Sequence, residues 1–582
     1  MTTRIQALAL VASLSLLGAC SPEGAGGPGS STSPAGSGSP DEAAALPPIR
    51  FVEGTLEAGI VFDRENGRSE DFYYIEPLTG GAIFFDAEGD GDPDLYLLNG
   101  TQVSGQDDVP GGANAFYLND GQGHFTDATE AAGLGCSGFS VSVAGADYDN
   151  DGDCDLFITN FGVPHALMRN DGQGHFEDVF ADSGIEARAF IGSSTAFADV
   201  DNDGWLDLYI ANCLNHSVHN NLVCEVRVSD GSERLRRYCT PKAYQPVPDQ
   251  LFRNLGDGTF EDVSESSGIA AQPGRSLGVA FADYDSDGDQ DLFVACDQSP
   301  NQYFENLGGG KFAEKALQAG VALGADGTAQ AGMGISTADW TGDGEIDVAV
   351  TYFEEEWNGF YVNRGGHRFK ESAKRNGTHA AGLNLMGWGL EFLDADLDTD
   401  LDVLIANGHL QDDIHRFRTP VAGYEQPNLF YANLGGGEFV NMGAAAGPGL
   451  ELERVSRGVA VADVDQDGDL DALVANLFGS PNLLINETPR GDNHWLGVRA
   501  VGTRSNRSAV GARITVELPG ASLVREIHTG QSYQCQSDLT QHFGLGPIER
   551  VPAIEVRWPS GARSRHEDVA VDQVIVLVEP EE

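Results

Sequence analysis

One ten-residue loop returns seven times in this chain, and few folds accommodate such punctuation. It reads Asp-x-Asp-x-Asp-Gly-x-x-Asp and then a small or aliphatic residue, with copies starting at Asp86, Asp147, Asp199, Asp283, Asp339, Asp394 and Asp463. Side-chain oxygens at positions 1, 3, 5 and 9 of a tight loop can converge on one point, and the carbonyl of position 7 completes an oxygen cage. Hard divalent cations, calcium above all, take six to eight oxygen ligands at roughly 2.3–2.6 Å. Without a cation, that many carboxylates within a few Å repel one another. A single copy reads equally well as an Asp-Gly turn that binds nothing, but seven copies in register favour the cation. The expected ligands are Asp86, Glu88, Asp90 and Asp94; Asp147, Asp149, Asp151 and Asp155; Asp199, Asp201, Asp203 and Asp207; Asp283, Asp285, Asp287 and Asp291; Asp339, Thr341, Asp343 and Asp347; Asp394, Asp396, Asp398 and Asp402; and Asp463, Asp465, Asp467 and Asp471.

The loop is not an EF-hand, which needs a bidentate Glu at position 12 and flanking helices. Position 12 here holds Leu97, Ile158, Ile210, Val294, Val350, Ile405 and Val474. The flanks, such as Gly81–Phe85 and Asp94–Leu98, are short runs of β-branched and aromatic residues, so each loop is expected to join two strands. Successive copies lie 52 to 84 residues apart, a period that points to a propeller or array. A second marker follows most loops, as in Arg169-Asn-Asp-Gly-Gln-Gly-His-Phe176 and Arg253-Asn-Leu-Gly-Asp-Gly-Thr-Phe260, with Val362–Phe369 a less regular copy. These Asn/Gly turns predict a second hairpin and about four strands per repeat. The last repeat stops at Asn482–Glu487 without its outer strand, while Phe51–Ile60 matches the outer strand of other repeats. The first strand is therefore expected to complete the last sheet and close the ring. The fold class that follows is all-β: a seven-bladed β-propeller over residues 49–490, with a small β-sandwich or barrel-like domain over 491–579.

These repeats resemble the FG-GAP/VCBS family. The tail, with His494–Thr503, Val510–Arg513, Gly530-Gln-Ser-Tyr533, His542-Phe-Gly-Leu-Gly546 and Val556–Gly561, resembles the ASPIC/UnbV domain. The combination is similar to the cartilage acidic protein family and its bacterial relatives, and implies a secreted calcium-binding propeller, with up to seven Ca²⁺ sites, rather than any particular reaction. The resemblance also implies a cysteine-bearing insertion after the third loop, where Cys224 and Cys239 are the preferred disulfide; a zinc site is the alternative, but no histidine stands at ligand spacing beside them.

Residues 1–19 read as a signal peptide: Arg4 precedes an apolar stretch too short to span a bilayer. Leu17-Gly-Ala-Cys20 resembles a lipoprotein cleavage site with Cys20 as the lipidated residue, followed by a Gly/Ser/Pro-rich tether over 20–48. The expected location is the cell envelope, lipid-anchored at the outer membrane, facing periplasm or exterior, with the anchor as the sole membrane contact. Formal charge is −55, from 89 acidic against 34 basic residues, which excludes nucleic acid as a natural partner. A monomer is expected.

Two function classes stay open. The first is a binding or adhesion module for glycan or for cell-envelope or extracellular protein, using the loops opposite the cation hairpins and the insertion around 213–249. Phe353, Trp357, Phe360 and Tyr361 are candidate sugar-stacking aromatics, with ordinary packing as the alternative. The second is a calcium-dependent glycan- or phosphate-active enzyme. No catalytic residue is assigned; Asn407-Gly-His409 with Asp412, Asp413 and His415 is the best polar cluster outside the loops. Among the cation loops, those at Asp339 and Asp394 are expected to be weakest, since Thr341 replaces a carboxylate and Thr399 replaces the turn glycine.

Overall fold

The computed structural model describes residues 46–101, 112–136, 138–186, 188, 190–229, 231–416 and 422–581. Cys20, the signal segment and most of the tether lie outside them. The chain from Pro47 onward forms one compact unit, whose regular structure is mostly β-strand.

Seven four-stranded antiparallel sheets make up the body. Their first strands are Ala82–Phe85, Phe139–Ala146, Gly192–Ala198, Ser276–Ala282, Gly332–Ala338, Gly387–Leu393 and Ser456–Ala462. These inner strands pack against one another in sequence order, and the last packs on the first, so the sheets form a closed cycle. Face-to-face stacking buries both sides of each inner strand. That is why these segments read as continuous apolar or small-residue runs instead of alternating ones. In the last sheet Phe51–Glu53 pairs with Asn482–Asn486, Phe51 lying opposite Asn486. The N-terminal strand thus supplies the outer edge that the final repeat lacks.

The asparagine that opens each Gly-rich turn fastens one sheet to the next. In the second sheet, the Asn170 amide N–H donates to Asp155 Oδ1 (2.8 Å), the ninth residue of its own loop, and Asn170 Nδ2 donates to the Ala87 carbonyl of the preceding loop (2.7 Å). The same pair of bonds recurs at Asn254, Asn306, Asn363 and Asn433, and at Asn486, the equivalent position of the last repeat, where no Gly-rich turn follows. Asn119 closes the circuit by reaching Val464 of the last loop (2.8 Å), 345 positions away in sequence.

The tail holds a three-stranded sheet, with His494–Val501 between Gln541–Gly546 and Gln573–Val578, and a four-stranded sheet of Ala521–Glu526, Arg513–Leu518, Arg550–Arg557 and Arg563–Ala570. It packs on the end of the ring that carries the Asp loops. Val516, Phe543 and Trp558 share one buried cluster with Tyr148, Phe157 and Phe197 of the ring. Residues 528–538 leave the tail and run along the ring's axis. Ser532 exchanges backbone bonds with Ile335 (2.7 and 2.9 Å), and its hydroxyl accepts from Val459 N–H (3.2 Å). The Gln536 amide side chain brackets Gly145 (3.0 and 2.8 Å), its backbone N–H donates to Ala82 (3.0 Å), and Thr529 Oγ1 accepts from Phe197 N–H (2.8 Å). Inner strands of five sheets are bonded by this one segment, which contains the Gly530–Tyr533 motif.

Candidate metal centres and the opposite face

Each Asp loop is shaped by two left-handed residues, at positions 4 and 6. In the second loop these are Asn150 (φ 59°) and Gly152 (φ 112°). Such a turn lets the first-position carboxylate accept backbone N–H groups from within its own loop: Asp147 Oδ1 takes Asp151 (3.0 Å) and Oδ2 takes Gly152 (2.8 Å). The loop at Asp394 keeps this geometry without glycine. Leu397 sits at φ 59° and Thr399 at φ 89°, and Thr399 N–H still donates to Asp394 Oδ2 (2.9 Å). The tail presses on this loop, with Gly546 N–H bonded to the Leu397 carbonyl (2.9 Å), so packing compensates a strain that sequence alone made a reason for weakness.

The carboxylates converge as clusters at Asp147/Asp149/Asp151, Asp199/Asp201/Asp203, Asp283/Asp285/Asp287, Asp394/Asp396/Asp398 and Asp463/Asp465/Asp471, with ligand atoms within 4.8 Å of one another. Asp467 stands outside the last cluster, where Asp471 contributes instead. The first loop, with Glu88, and the fifth, with Thr341, form no three-carboxylate cluster among the described residues. They carry another sign of a cation. Glu88 Oε2, Asp149 Oδ1, Asp201 Oδ1 and Thr341 Oγ1, all third-position oxygens, are buried without a hydrogen-bond partner. A buried oxygen left so costs on the order of 1–3 kcal/mol, and a cation at the loop centre would remove that cost. Burial also raises the carboxyl pKa values, Asp147, Asp199 and Asp463 to about 7 and Asp94 to about 9. The donor set therefore fits a hard divalent cation. The ninth-position residues Asp94, Asp155, Asp207, Asp291, Asp347, Asp402 and Asp471 each also accept the asparagine N–H described above, so they brace the loop as well as face its centre.

Basic groups reach several loops. Arg499 Nη1 bonds Asp86 Oδ2 (3.0 Å), Arg557 bonds Asp283, and Arg513 bonds the Gly344 carbonyl. His367 Nε2 lies 3.0 Å from Asp285 Oδ2. The fourth loop thus faces both an arginine and a histidine, which sequence reasoning missed. The irregular turn Val362–Phe369 was the available signal for His367.

At the other end of the ring, Cys224 and Cys239 are joined by a disulfide that clamps the hairpin Cys224–Arg227/Arg234–Arg237. Cys136, Cys154, Cys213, Cys296 and Cys535 are free thiols. Asn407 and His409 are buried here. His409 Nδ1 accepts from Gln411 N–H (2.9 Å) and Nε2 donates to Glu354 Oε1 (2.7 Å), while burial lowers its pKa to about 4. Both ring nitrogens are engaged, as in a structural loop histidine. Of the four stacking candidates, Phe360 and Tyr361 belong to the core, because sheet stacking buries both faces of their strand. Trp357 is overlaid by Lys374 Nζ at 4.5 Å, and Phe353 remains half-buried at the ring mouth.

The FG-GAP-like repeat profile matches residues 86–158, 147–210, 243–294, 283–350 and 339–405, and the ASPIC and UnbV profile matches residues 502–582. Cartilage acidic protein 1 of Homo sapiens is 27% identical over 452 residues, covering 73% of this chain and 60% of that protein. The Xenopus tropicalis protein is 27% identical over 451 residues, covering 73% and 62%. The chain thus spans about three fifths of the length of the relatives it matches. Among solved structures, the BP39L lectin from Burkholderia pseudomallei superposes with a TM-score of 0.40 at 10% identity, over 70% of this chain and 99% of that one.

Proposed function

The chain combines FG-GAP-like repeats with a C-terminal ASPIC/UnbV domain, and from that premise we propose that it is an extracytoplasmic, lipid-anchored, calcium-binding propeller serving as a binding or adhesion module for glycan or protein partners. The third-position oxygens that are buried without partners carry the calcium part of this reading. Calcium would be held by side chains of the first, third, fifth and ninth positions, the ninth-position Asp471 taking the place of Asp467 in the last cluster. It would neutralise carboxylates that otherwise repel, and its role there is structural. At millimolar calcium, a site with a dissociation constant near 10⁻⁴ M adds on the order of 1.4 kcal/mol. Several such sites together rival the net stability of a typical domain.

The binding part rests on how the molecule uses its two ends. The tail covers the Asp loops and fills the axis, which leaves the disulfide-clamped end open for recognition. The enzymatic alternative loses its best base, since His409 has neither ring nitrogen free. Thermal melts with and without EDTA test the calcium reading: a large drop on chelation, restored by calcium and not by magnesium, is expected, and an unchanged melt refutes it. A glycan panel analysed by mass spectrometry tests the partner. Intact glycans retained in calcium support a binding module, whereas shortened glycans in solution would favour the enzyme.

A further inference from the structure

Beneath the clamped hairpin, at the open end of the axis, lies a cavity of about 340 Å³. Leu277, Met333, Met386 and Trp388 form its floor, and all four are buried. Leu277, Met333 and Trp388 are the second residues of three adjacent inner strands and Met386 immediately precedes the third, so the floor is set by the ring itself. Its walls carry planar polar groups, Asp297, Gln298, Arg237 and Gln411, with Arg237 Nε donating to Gln411 Oε1 (3.2 Å). Val226 of the hairpin, 41% exposed, stands at the mouth. Asp297 Oδ2 accepts from the Tyr74 hydroxyl (3.1 Å), which leaves Oδ1 for another donor. Burial holds the Asp297 pKa up at about 7.

We propose that this cavity is a binding site for a single terminal sugar unit, which rests on the glycan-binding reading above and deepens it. A wholly apolar ligand would desolvate Asp297 Oδ1 and offer it no donor. A phosphate or carboxylate ligand would be repelled by Asp297 and Glu354 together. A pyranose has an apolar C–H face for the Trp388 and methionine floor, and a rim of hydroxyls that both donate and accept. Such a rim matches a carboxylate, two amides and a guanidinium on the walls. Methionine side chains adapt to the stepped outline of a sugar ring. The volume sits at the low end of the range for ligand pockets, about 300–1,000 Å³, which admits one unit with the remainder of the glycan passing out beside Val226.

The test uses the calcium-loaded protein and methyl glycosides of galactose, mannose and N-acetylglucosamine, read by saturation-transfer NMR and calorimetry. One glycoside is expected to bind, and Asp297→Asn and Val226→Trp are each expected to weaken it about tenfold or more. Val226 lies on the exposed hairpin, so its variant keeps the fold and blocks the mouth alone; unchanged melting in both variants checks this. Binding that both variants retain would overturn the cavity while the glycan reading stands. Retention of larger glycans without binding of any methyl glycoside would likewise overturn the one-unit site alone. If no glycan or glycoside binds, both readings fall.

Discussion

Thr399 shows how a single residue can carry strain that its neighbours sustain. A β-branched side chain at φ 89° costs about 1–2 kcal/mol relative to a right-handed conformation. Glycine gives back part of that through a freer unfolded chain. Thr399→Gly is therefore expected to stabilise the protein by about 0.5–1 kcal/mol in EDTA, read by chemical denaturation; a loss of stability would show that the threonine is not strained. Glu391 makes the opposite kind of point. It is 7% exposed on an inner strand, bonded to Ser336 Oγ (3.0 Å), and burial lifts its pKa to about 8. Its folded value lies above the unfolded one, so the stability it contributes is complete below about pH 4.5 and is lost as pH rises towards 8. Glu391→Gln is expected to flatten the decline in melting temperature between those limits, measured in saturating calcium. A variant that declines as steeply as the parent would assign the trend elsewhere.

At the scale of strands and turns, most of the architecture was legible because it repeats. The Asp loops, the Gly-rich turns and the misplaced outer strand at Phe51 each have a local sequence signature, and each pairs as that signature implies. The turn asparagines were legible only in part. Asn is a common turn former, so its presence explained itself locally and concealed the bond that Nδ2 makes to the neighbouring sheet. Asn170 is 3% exposed, and Asn170→Ala removes its Nδ2 bonds to Ala87 and Cys154, leaving those buried carbonyls short of a donor. The expected cost is about 1–3 kcal/mol. Asn119→Ala breaks a buried clasp between the first sheet and the last loop, and should in addition speed hydrogen exchange in Ala82–Phe85 and Ser456–Ala462. Unchanged exchange in both segments would mean that the Phe51–Glu53 pairing and the Arg64–Gly479 bridge hold the ring shut without it. The candidate site was similarly divided. Carboxylate positions follow from spacing, whereas the bases that meet them, Arg499, Arg557 and His367, arrive from distant sequence and leave no periodic trace.

For the whole molecule, the axial segment decides what kind of object this is. The repeats suggested a ring and an appended module, and the alternating apolar strands of the tail read well as a small sheet structure. Nothing in Gly530-Gln-Ser-Tyr533 announced that polar side chains there would serve as hydrogen-bond partners for inner strands, because those partners lie 73 to 195 positions away. Ring axes of this width must be filled by water or by side chains, since backbone groups facing an empty apolar channel would be unsatisfied. Here the chain fills its own axis, with Tyr533 at the far end packed on Trp388 (centroids 5.0 Å apart) and its hydroxyl bonded to the Leu78 carbonyl (2.9 Å). Tail and ring should therefore unfold together. A chain ending at Arg490 loses the partners of Phe197, Ile335 and Val459 N–H at once, and is expected to melt well below the full chain even in calcium, with fast hydrogen exchange at those inner strands. Supplying the tail as a separate polypeptide should restore protection if the segment can thread a formed ring. If the shortened chain melts at the parental temperature with parental exchange, the axis is filled equally well by water and the tail is only a passenger on the loop face.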